Sequence, residues 1–291
     1  MSSSALLLVI AAAIAHASWN LLAKRAAHVG TAFVFAYGLC CTIVYAPWVL
    51  WILIFDENTW SWPIISCIVL SGMLHLAYSL CLQRGYQLAD LSVVYPIARG
   101  TGPLLSALGA LLLLGEPATA RGLAGLLCVV TGVLLIATQG KINRLLQPEA
   151  LVGVRWGALV GIFIAFYTLV DAYGVKILLI APVVFDWATC ATRTLLMLPH
   201  TARQPRQALA AMKGHWPSAW AIGVLSPLGY ILVLYALRDG APVSLVAPAR
   251  EMSMLLVTLA GLYLLREPVG WGRLLGCCAI ALGVVLLSWA S

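Results

Sequence analysis

Long apolar stretches alternate with short polar or Pro/Gly-rich segments along nearly the whole chain. A helix needs about 20 apolar residues, each rising about 1.5 Å, to cross a hydrocarbon core about 30 Å thick. Ten stretches meet this length, near residues 4–23, 31–55, 63–83, 91–114, 119–139, 154–175, 181–199, 218–237, 242–265 and 270–289. The pattern predicts an all-α integral membrane protein with ten transmembrane helices.

The second half of the chain repeats short motifs of the first half in the same order. The pairs are "SVVYP" at Ser92 with "SLVAP" at Ser244, "LLGEP" at Leu113 with "LLREP" at Leu264, and "GLLCVVTGVLL" at Gly125 with "GCCAIALGVVLL" at Gly276. Three pairs in nearly one register are typical of an internal duplication. We therefore predict two five-helix repeats, over residues 1–146 and 147–291.

The number of helices in one repeat decides how the two repeats are oriented. Because five is odd, the second repeat must enter the membrane upside down relative to the first. Such inverted repeats are related by a pseudo-twofold axis in the membrane plane. They can expose a central site to one side of the membrane and then to the other, so alternating access is the natural mechanism.

Composition supports the membrane assignment and narrows the partners. Of the 291 residues, 63% are hydrophobic and 9% are charged, whereas a soluble chain carries about a quarter charged residues. The net charge of +7 is spread over short loops, so we expect a lipid bilayer and a small-molecule substrate as partners, and no nucleic acid. The eight cysteines form no CxxC motif and have no histidine at ligand spacing, so we expect no metal and no cofactor.

Two arginines lie inside predicted spans. Arg99 is about eight residues, or about 12 Å, into the fourth span, and Arg250 is at a similar depth in the ninth. A charge at this depth costs about 2.5–3.5 kcal/mol, so it should face a cavity or a partner. Two guanidinium groups near the pseudo-axis would suit a bound anion. Alternatively, each neutralises a buried acid such as Glu251, Asp171 or Asp186.

The buried acids have alternative roles too. Glu251, which we align with Gly100 of the first repeat, either pairs with an arginine or binds and releases a driving proton. Asp171, deep in the sixth span, is the other candidate for proton coupling. Asp186 and Arg193 are seven residues apart and share a helix face, which favours an ion pair that holds the bundle together.

Further polar and aromatic side chains complete a predicted substrate site. They are Trp19, Asn20, His75, Tyr78, Tyr95 and Tyr230. Packing or a position at the membrane interface is the alternative for the aromatic residues. Glu116 and Glu267 each precede a proline, and we expect them to favour the N-terminus of the helix that follows.

The ten spans, the two five-span halves and the paired endings "LLGEP…G……G" and "LLREP…G……G" together resemble the EamA branch of the drug/metabolite transporter superfamily. The opening "HASWNLLAKR" (residues 16–25) is also similar to first helices of that family. The resemblance implies a compact ten-helix transporter with a central cavity lined by both halves. It also implies export or exchange of small metabolites.

We therefore expect a secondary active transporter, an exporter or exchanger, for a small anionic or zwitterionic, amino-acid-like metabolite. The alternative is a membrane-embedded enzyme or a lipid-handling protein that uses the same polar cavity. No HExxH or GxSxG motif is present, which favours a protein that is not an enzyme. We expect a multi-pass monomer or homodimer in the cell membrane, the inner membrane of a bacterium.

Membrane orientation stays open at this point. The family resemblance implies that both termini are cytoplasmic. With that orientation, however, most of the Lys and Arg residues of the loops would lie outside, and the positive-inside rule requires the reverse. Charge alone favours both termini outside.

Overall fold

The computed structural model describes residues 2–55, 60–89, 91–140, 150–256 and 270–290, and every regular element in these ranges is helical. In chain order the α-helices are α1 (Ser3–Arg25), α2 (Thr31–Phe55), α3 (Trp62–Leu88), α4 (Leu91–Leu113), α5 (Ala120–Thr138), α6 (Leu151–Lys176), α7 (Pro182–Arg203), α8 (Pro205–Ala211), α9 (Trp216–Arg238), α10 (Val243–Ala249) and α11 (Trp271–Ser288). Residues 252–256 are helical again.

Six of these helices, α2, α3, α4, α6, α9 and α11, are long and apolar enough to cross a membrane. The apolar parts of α1 and α5, Ser4–Trp19 and Ala120–Ile136, are shorter. The ninth predicted span runs past residue 256, where the described part of the chain stops. The protein is therefore a multi-pass, all-α membrane protein, while the count of ten spans stays a prediction.

Close glycine contacts join α5 to α11. A Cβ atom added at Gly132 would lie 2.7 Å from the Gly276 carbonyl oxygen, and one added at Gly125 would lie 2.9 Å from that of Gly283. The earlier residue of α5 meets the later residue of α11, so the two helices are antiparallel. Because they end the two repeats, this contact places the pseudo-twofold axis between them, as inverted repeats require.

Other helix contacts obey the same symmetry. Helix α2 packs against its counterpart α7, and α4 packs against its counterpart α10. Contacts between the repeats also come in equivalent pairs, because α1 packs on α9 as α3 packs on α6. The predicted boundary between residues 146 and 147 falls within 141–149, outside the described residues, and stays a prediction.

The largest buried cluster draws residues from both repeats, among them Val129 and Val133 on α5, Leu234 on α9 and Ile280 on α11. Shared burial of this kind fixes the two repeats against each other in this conformation. Exposed tryptophans at the end of α2 and the start of α3, Trp51 and Trp62, are typical of the membrane interface.

Candidate functional site

A cavity lies between the repeats, lined by residues of α1, α2, α3, α6, α7 and α9 and by Arg250, which follows α10. The space open to the centre of a water molecule is about 100 Å³, which is room for several waters or one small solute. Its lining is aromatic, polar and charged. The cavity is therefore a candidate binding site for a small polar molecule.

Arg250 is a buried cation that faces this cavity and has no counterion among the described residues. Its side chain is buried, with only 4% of the residue exposed, and its guanidinium lies 6.0 Å from the centre of the Tyr230 ring. Arg250 forms no salt bridge with any described residue, and its buried Nε has no hydrogen-bond partner there. An unpaired buried charge is costly, and an anionic ligand would remove that cost.

Arg99 has a different environment. Its Nε is 2.9 Å from Glu251 Oε2, and its Nη2 donates a hydrogen bond to Ser253 Oγ at 3.1 Å. The Nε–H is not aimed at a carboxylate oxygen, so the contact with Glu251 is an ion pair and not a directed hydrogen bond. Arg99 does not line the cavity. This geometry favours the alternative in which Arg99 neutralises a buried acid.

The ion pair joins the two repeats at this point. Arg99 is on α4 of the first repeat, and Glu251 follows α10 of the second. The contact does not decide how the two sequences align here, so the alignment of Glu251 with Gly100 stays a prediction.

Asp171 is at the centre of a buried hydrogen-bond network. Ser71 Oγ donates to Asp171 Oδ1 at 2.5 Å, and the Tyr230 hydroxyl donates to Oδ2. His75 Nε2 lies 3.0 Å from the same Oδ2 atom. Thr189 in turn donates to Ser71 Oγ at 3.4 Å. The network joins α3, α6, α7 and α9 at one wall of the cavity.

The predicted ion pair between Asp186 and Arg193 is not formed, although both residues are described and both line the cavity. Seven residues of helix rise about 10.5 Å, which is too far for direct contact. Arg193 Nη2 instead contacts Cys190 Sγ at 3.4 Å, and its guanidinium lies 5.4 Å from the Tyr37 ring centre. The cavity thus holds a second cation and a carboxylate.

Most of the predicted lining residues do meet at this cavity: Trp19, His75, Tyr78, Tyr230 and Arg250. Tyr95 packs beside Arg99, with 5.7 Å from its ring centre to the guanidinium carbon, and is not part of the lining. The side chain of Asn20 lies outside the described part of the structure. These placements leave the binding roles as predictions.

Sequence reasoning missed two aromatic lining residues, Tyr37 and Tyr167. Tyr167 stands one helical turn before Asp171, on the same face, and that spacing was the available signal. Its ring stacks on His75 with 3.9 Å between ring centres. For Tyr37 the sequence carries no comparable signal, because its position on α2 resembles that of many interface tyrosines.

Glu116 stabilises a different helix from the one we expected. Its carboxylate accepts hydrogen bonds from the backbone N–H groups of Val243 at 2.7 Å and Ser244 at 2.9 Å, and from Ser244 Oγ at 2.7 Å. Lys176 Nζ approaches the same carboxylate at 3.4 Å. These groups belong to the N-terminus of α10 in the other repeat, so the expectation that Glu116 serves α5 was wrong. Glu267 lies outside the described residues.

The sequence model of the EamA-like transporter family matches this chain twice, over residues 3–138 and again over residues 151–289. The chain belongs to the EamA-like transporter family. Each match covers one of the two repeats. The EamA-like family is a family of transporters, which agrees with the expectation that this protein is not an enzyme.

Comparison with other proteins gives the fold of this EamA-like protein and nothing finer. One solved structure, described only as a crystal structure of a protein, matches with a TM-score of 0.77 and 18% sequence identity, covering 100% of both chains. At that identity the likeness shows the shared fold alone. No curated protein matches the chain significantly.

Proposed function

We propose that this EamA-like protein is a secondary active transporter for a small anionic or zwitterionic, amino-acid-like metabolite. The observation that carries the proposal is Arg250, a buried guanidinium that faces the cavity and has no counterion among the described residues. A guanidinium binds a carboxylate through two parallel hydrogen bonds. A carboxylate substrate would supply the missing charge.

Asp186 and Arg193 add a second cation and a carboxylate to the anion-binding site at Arg250. Both line the same cavity as Arg250, and Asp186 makes no salt bridge with a described residue. A free carboxylate in a cavity is a partner for an ammonium group. Two cations and one anion together fit a solute that carries both a carboxylate and an amine, which is why an amino-acid-like substrate fits best.

Alternating access follows from where the cavity lies. Its walls come from both repeats, and the repeats are antiparallel at the α5–α11 contact. A rocking motion of one repeat against the other would open the cavity to one side at a time. Net export or exchange across the cell membrane, the inner membrane in a bacterium, is the activity we infer from this.

Binding by the purified protein in detergent tests the proposal directly. A ligand that binds only the folded state raises the melting temperature. L-glutamate, L-leucine and succinate sample the proposed class, and putrescine, a diamine, is the probe of opposite charge. We expect stabilisation by one or more of the first three and none by putrescine. Stabilisation by putrescine alone would reject the proposed charge preference.

Three variants make this test specific. Arg250→Gln should abolish the stabilisation, because it removes the cation, and Arg250→Lys should restore it only in part, because it keeps the charge without the planar fork. Arg84→Gln, at an exposed position on α3, is the matched control and should behave as wild type. An unchanged shift in Arg250→Gln would overturn the role of Arg250.

Liposomes containing only this protein distinguish transport from the alternative enzymatic or lipid-handling roles. We expect movement of the stabilising solute across the membrane without chemical change. Formation of a product without net movement would instead indicate an enzyme.

A further inference from the structure

We propose that His75 and Asp171 form a proton-binding pair whose charge controls occupation of the anion site at Arg250. This inference rests on the proposed transport function and adds a proton coupled to binding of the substrate. It also makes a claim about the empty protein that can be tested without any substrate.

The geometry of the pair provides a proton site and a route to it. His75 Nε2 lies 3.0 Å from Asp171 Oδ2, and the two side chains are 15% and 1% exposed. His75 lines the cavity, whereas Asp171 does not. Because Nε2 is directed at the carboxylate, Nδ1 is the nitrogen left to exchange a proton with water in the cavity. His75 is therefore the residue that exchanges the proton with water, and Asp171 is its buried counterion.

The surrounding groups fix the positions of His75 and Asp171 by hydrogen bonds and stacking. Ser71 and Tyr230 donate hydrogen bonds to Asp171, and Tyr167 stacks on the His75 ring. No lysine or arginine among the described residues forms a salt bridge with Asp171. The net charge of the pair thus depends on whether His75 is protonated.

Other titratable or charged groups surround this region. They are Cys67 and Tyr78 on α3, Arg99 on α4, Tyr167 on α6, Asp186, Cys190 and Arg193 on α7, Tyr230 on α9, His16 on α1, Tyr37 and Cys41 on α2 and Arg250 after α10. Of these, His16 is the other imidazole. It accepts a hydrogen bond from Trp19 Nε1 at 3.2 Å, and it must be tested separately.

Tyr230 connects the proton site to the anion site. Its hydroxyl donates to Asp171, and the Arg250 guanidinium lies over its ring, 6.0 Å from the centre. With neutral His75 the pair carries one negative charge beside Arg250, which competes with an incoming carboxylate. When water in the cavity gives a proton to Nδ1, the pair becomes neutral overall and that repulsion is lost. Protonation of His75 therefore favours occupation of the anion site.

The first experiment uses the protein alone. Infrared spectra of the purified protein, recorded from about pH 5 to pH 8, report imidazole protonation directly. We expect a histidine signal that is absent in His75→Gln and that persists in His16→Gln. His200→Gln, at an exposed position at the end of α7, is the matched control for removal of one imidazole. If His75→Gln loses no titrating signal relative to wild type, while His200→Gln loses that of one imidazole, the proton site is rejected.

The second experiment tests coupling, with L-glutamate as probe. Its affinity should rise about tenfold between about pH 8 and pH 5.5, the order expected for loss of one charge repelling another across an aromatic ring. Asp171→Asn, which imitates the neutral pair, should bind tightly at both pH values. A pH dependence that persists in Asp171→Asn, or that vanishes only in His16→Gln, would overturn the assignment.

The two proposals fail in different ways. If L-glutamate does not bind at any pH, the substrate class is wrong, and the infrared titration still decides whether the proton site exists. If L-glutamate binds with equal affinity at all pH values in the wild type, the coupling is wrong and the anion site stands.

Discussion

Arg99 of the first repeat and Glu251 of the second contact each other, with 2.9 Å between Arg99 Nε and Glu251 Oε2. The side chains are 7% and 0% exposed. Each charge therefore offsets most of the desolvation cost of burying the other. The pair occurs where α4 and its counterpart α10 meet, and Glu251 directly follows Arg250, which lines the cavity. Glu251 pairs with Arg99, while Arg250 forms no salt bridge with any described residue.

Breaking this pair from one side should destabilise the protein strongly. Arg99→Gln leaves Glu251 as an uncompensated buried charge, and we expect the free energy of unfolding to fall by about 3–5 kcal/mol. The double variant Arg99→Gln/Glu251→Gln should lose much less, because no charge remains. Denaturant unfolding in detergent measures both. Additive losses in the double variant would show that the two residues do not act as a pair.

The antiparallel contact of α5 and α11 should be sensitive to a single methyl group. In Gly132→Ala the new Cβ would lie 2.7 Å from the Gly276 carbonyl oxygen, so the two helices must separate, at a cost of about 1–3 kcal/mol. Gly100→Ala, also within a helix, has no neighbouring atom nearer than 3.8 Å and is the control. It should be neutral or slightly stabilising. Equal effects on the melting temperature would contradict this account of the interface.

Glu116 should contribute to stability through its contact with the N-terminus of α10 in the other repeat. Glu116→Gln keeps a carbonyl oxygen but removes the charge that meets the N-terminus of α10 and Lys176. We expect a loss of about 1–2 kcal/mol in the free energy of unfolding. Arg121→Gln, an exposed position near the same loop, controls for the change of one charge. If both variants unfold like wild type, the contact is without energetic importance.

Asp186 should discriminate solutes that carry an amine from those that do not. In Asp186→Asn we expect affinity for L-glutamate to fall about tenfold, the order of one hydrogen bond to a charged group. Affinity for glutarate, which lacks the amine, should stay the same or rise. Titration calorimetry of both solutes on both proteins measures this. A loss of equal size for the two solutes would exclude an ammonium contact at Asp186.

Much of the fold was predictable because the signals were long or repeated. Apolar runs of about 20 residues place the helices, and the paired glycines at 125 and 276 and at 132 and 283 reveal the duplication. Inversion then follows from the odd number of helices predicted for each repeat. The short helix α8 was not predicted, because seven residues are too few to show a helical repeat of apolar positions.

Side-chain direction was the part that sequence reasoning missed. Depth in the membrane indicates that Arg99, Arg250 and Glu251 must be compensated, but it does not say by which partner. Neighbouring residues on a helix point about 100° apart, so Arg250 and Glu251 cannot both face the cavity. Only the packing of α4 on α10 decides which one does.

The Arg99–Glu251 contact can occur as a single pair because the two repeats differ in sequence. In an assembly of two identical units related by a twofold axis, a contact between two different residues would occur twice, once on each side of the axis. Two unlike repeats in one polypeptide are free of this constraint. They can hold one compensated arginine, Arg99, close to another, Arg250, that has no counterion among the described residues.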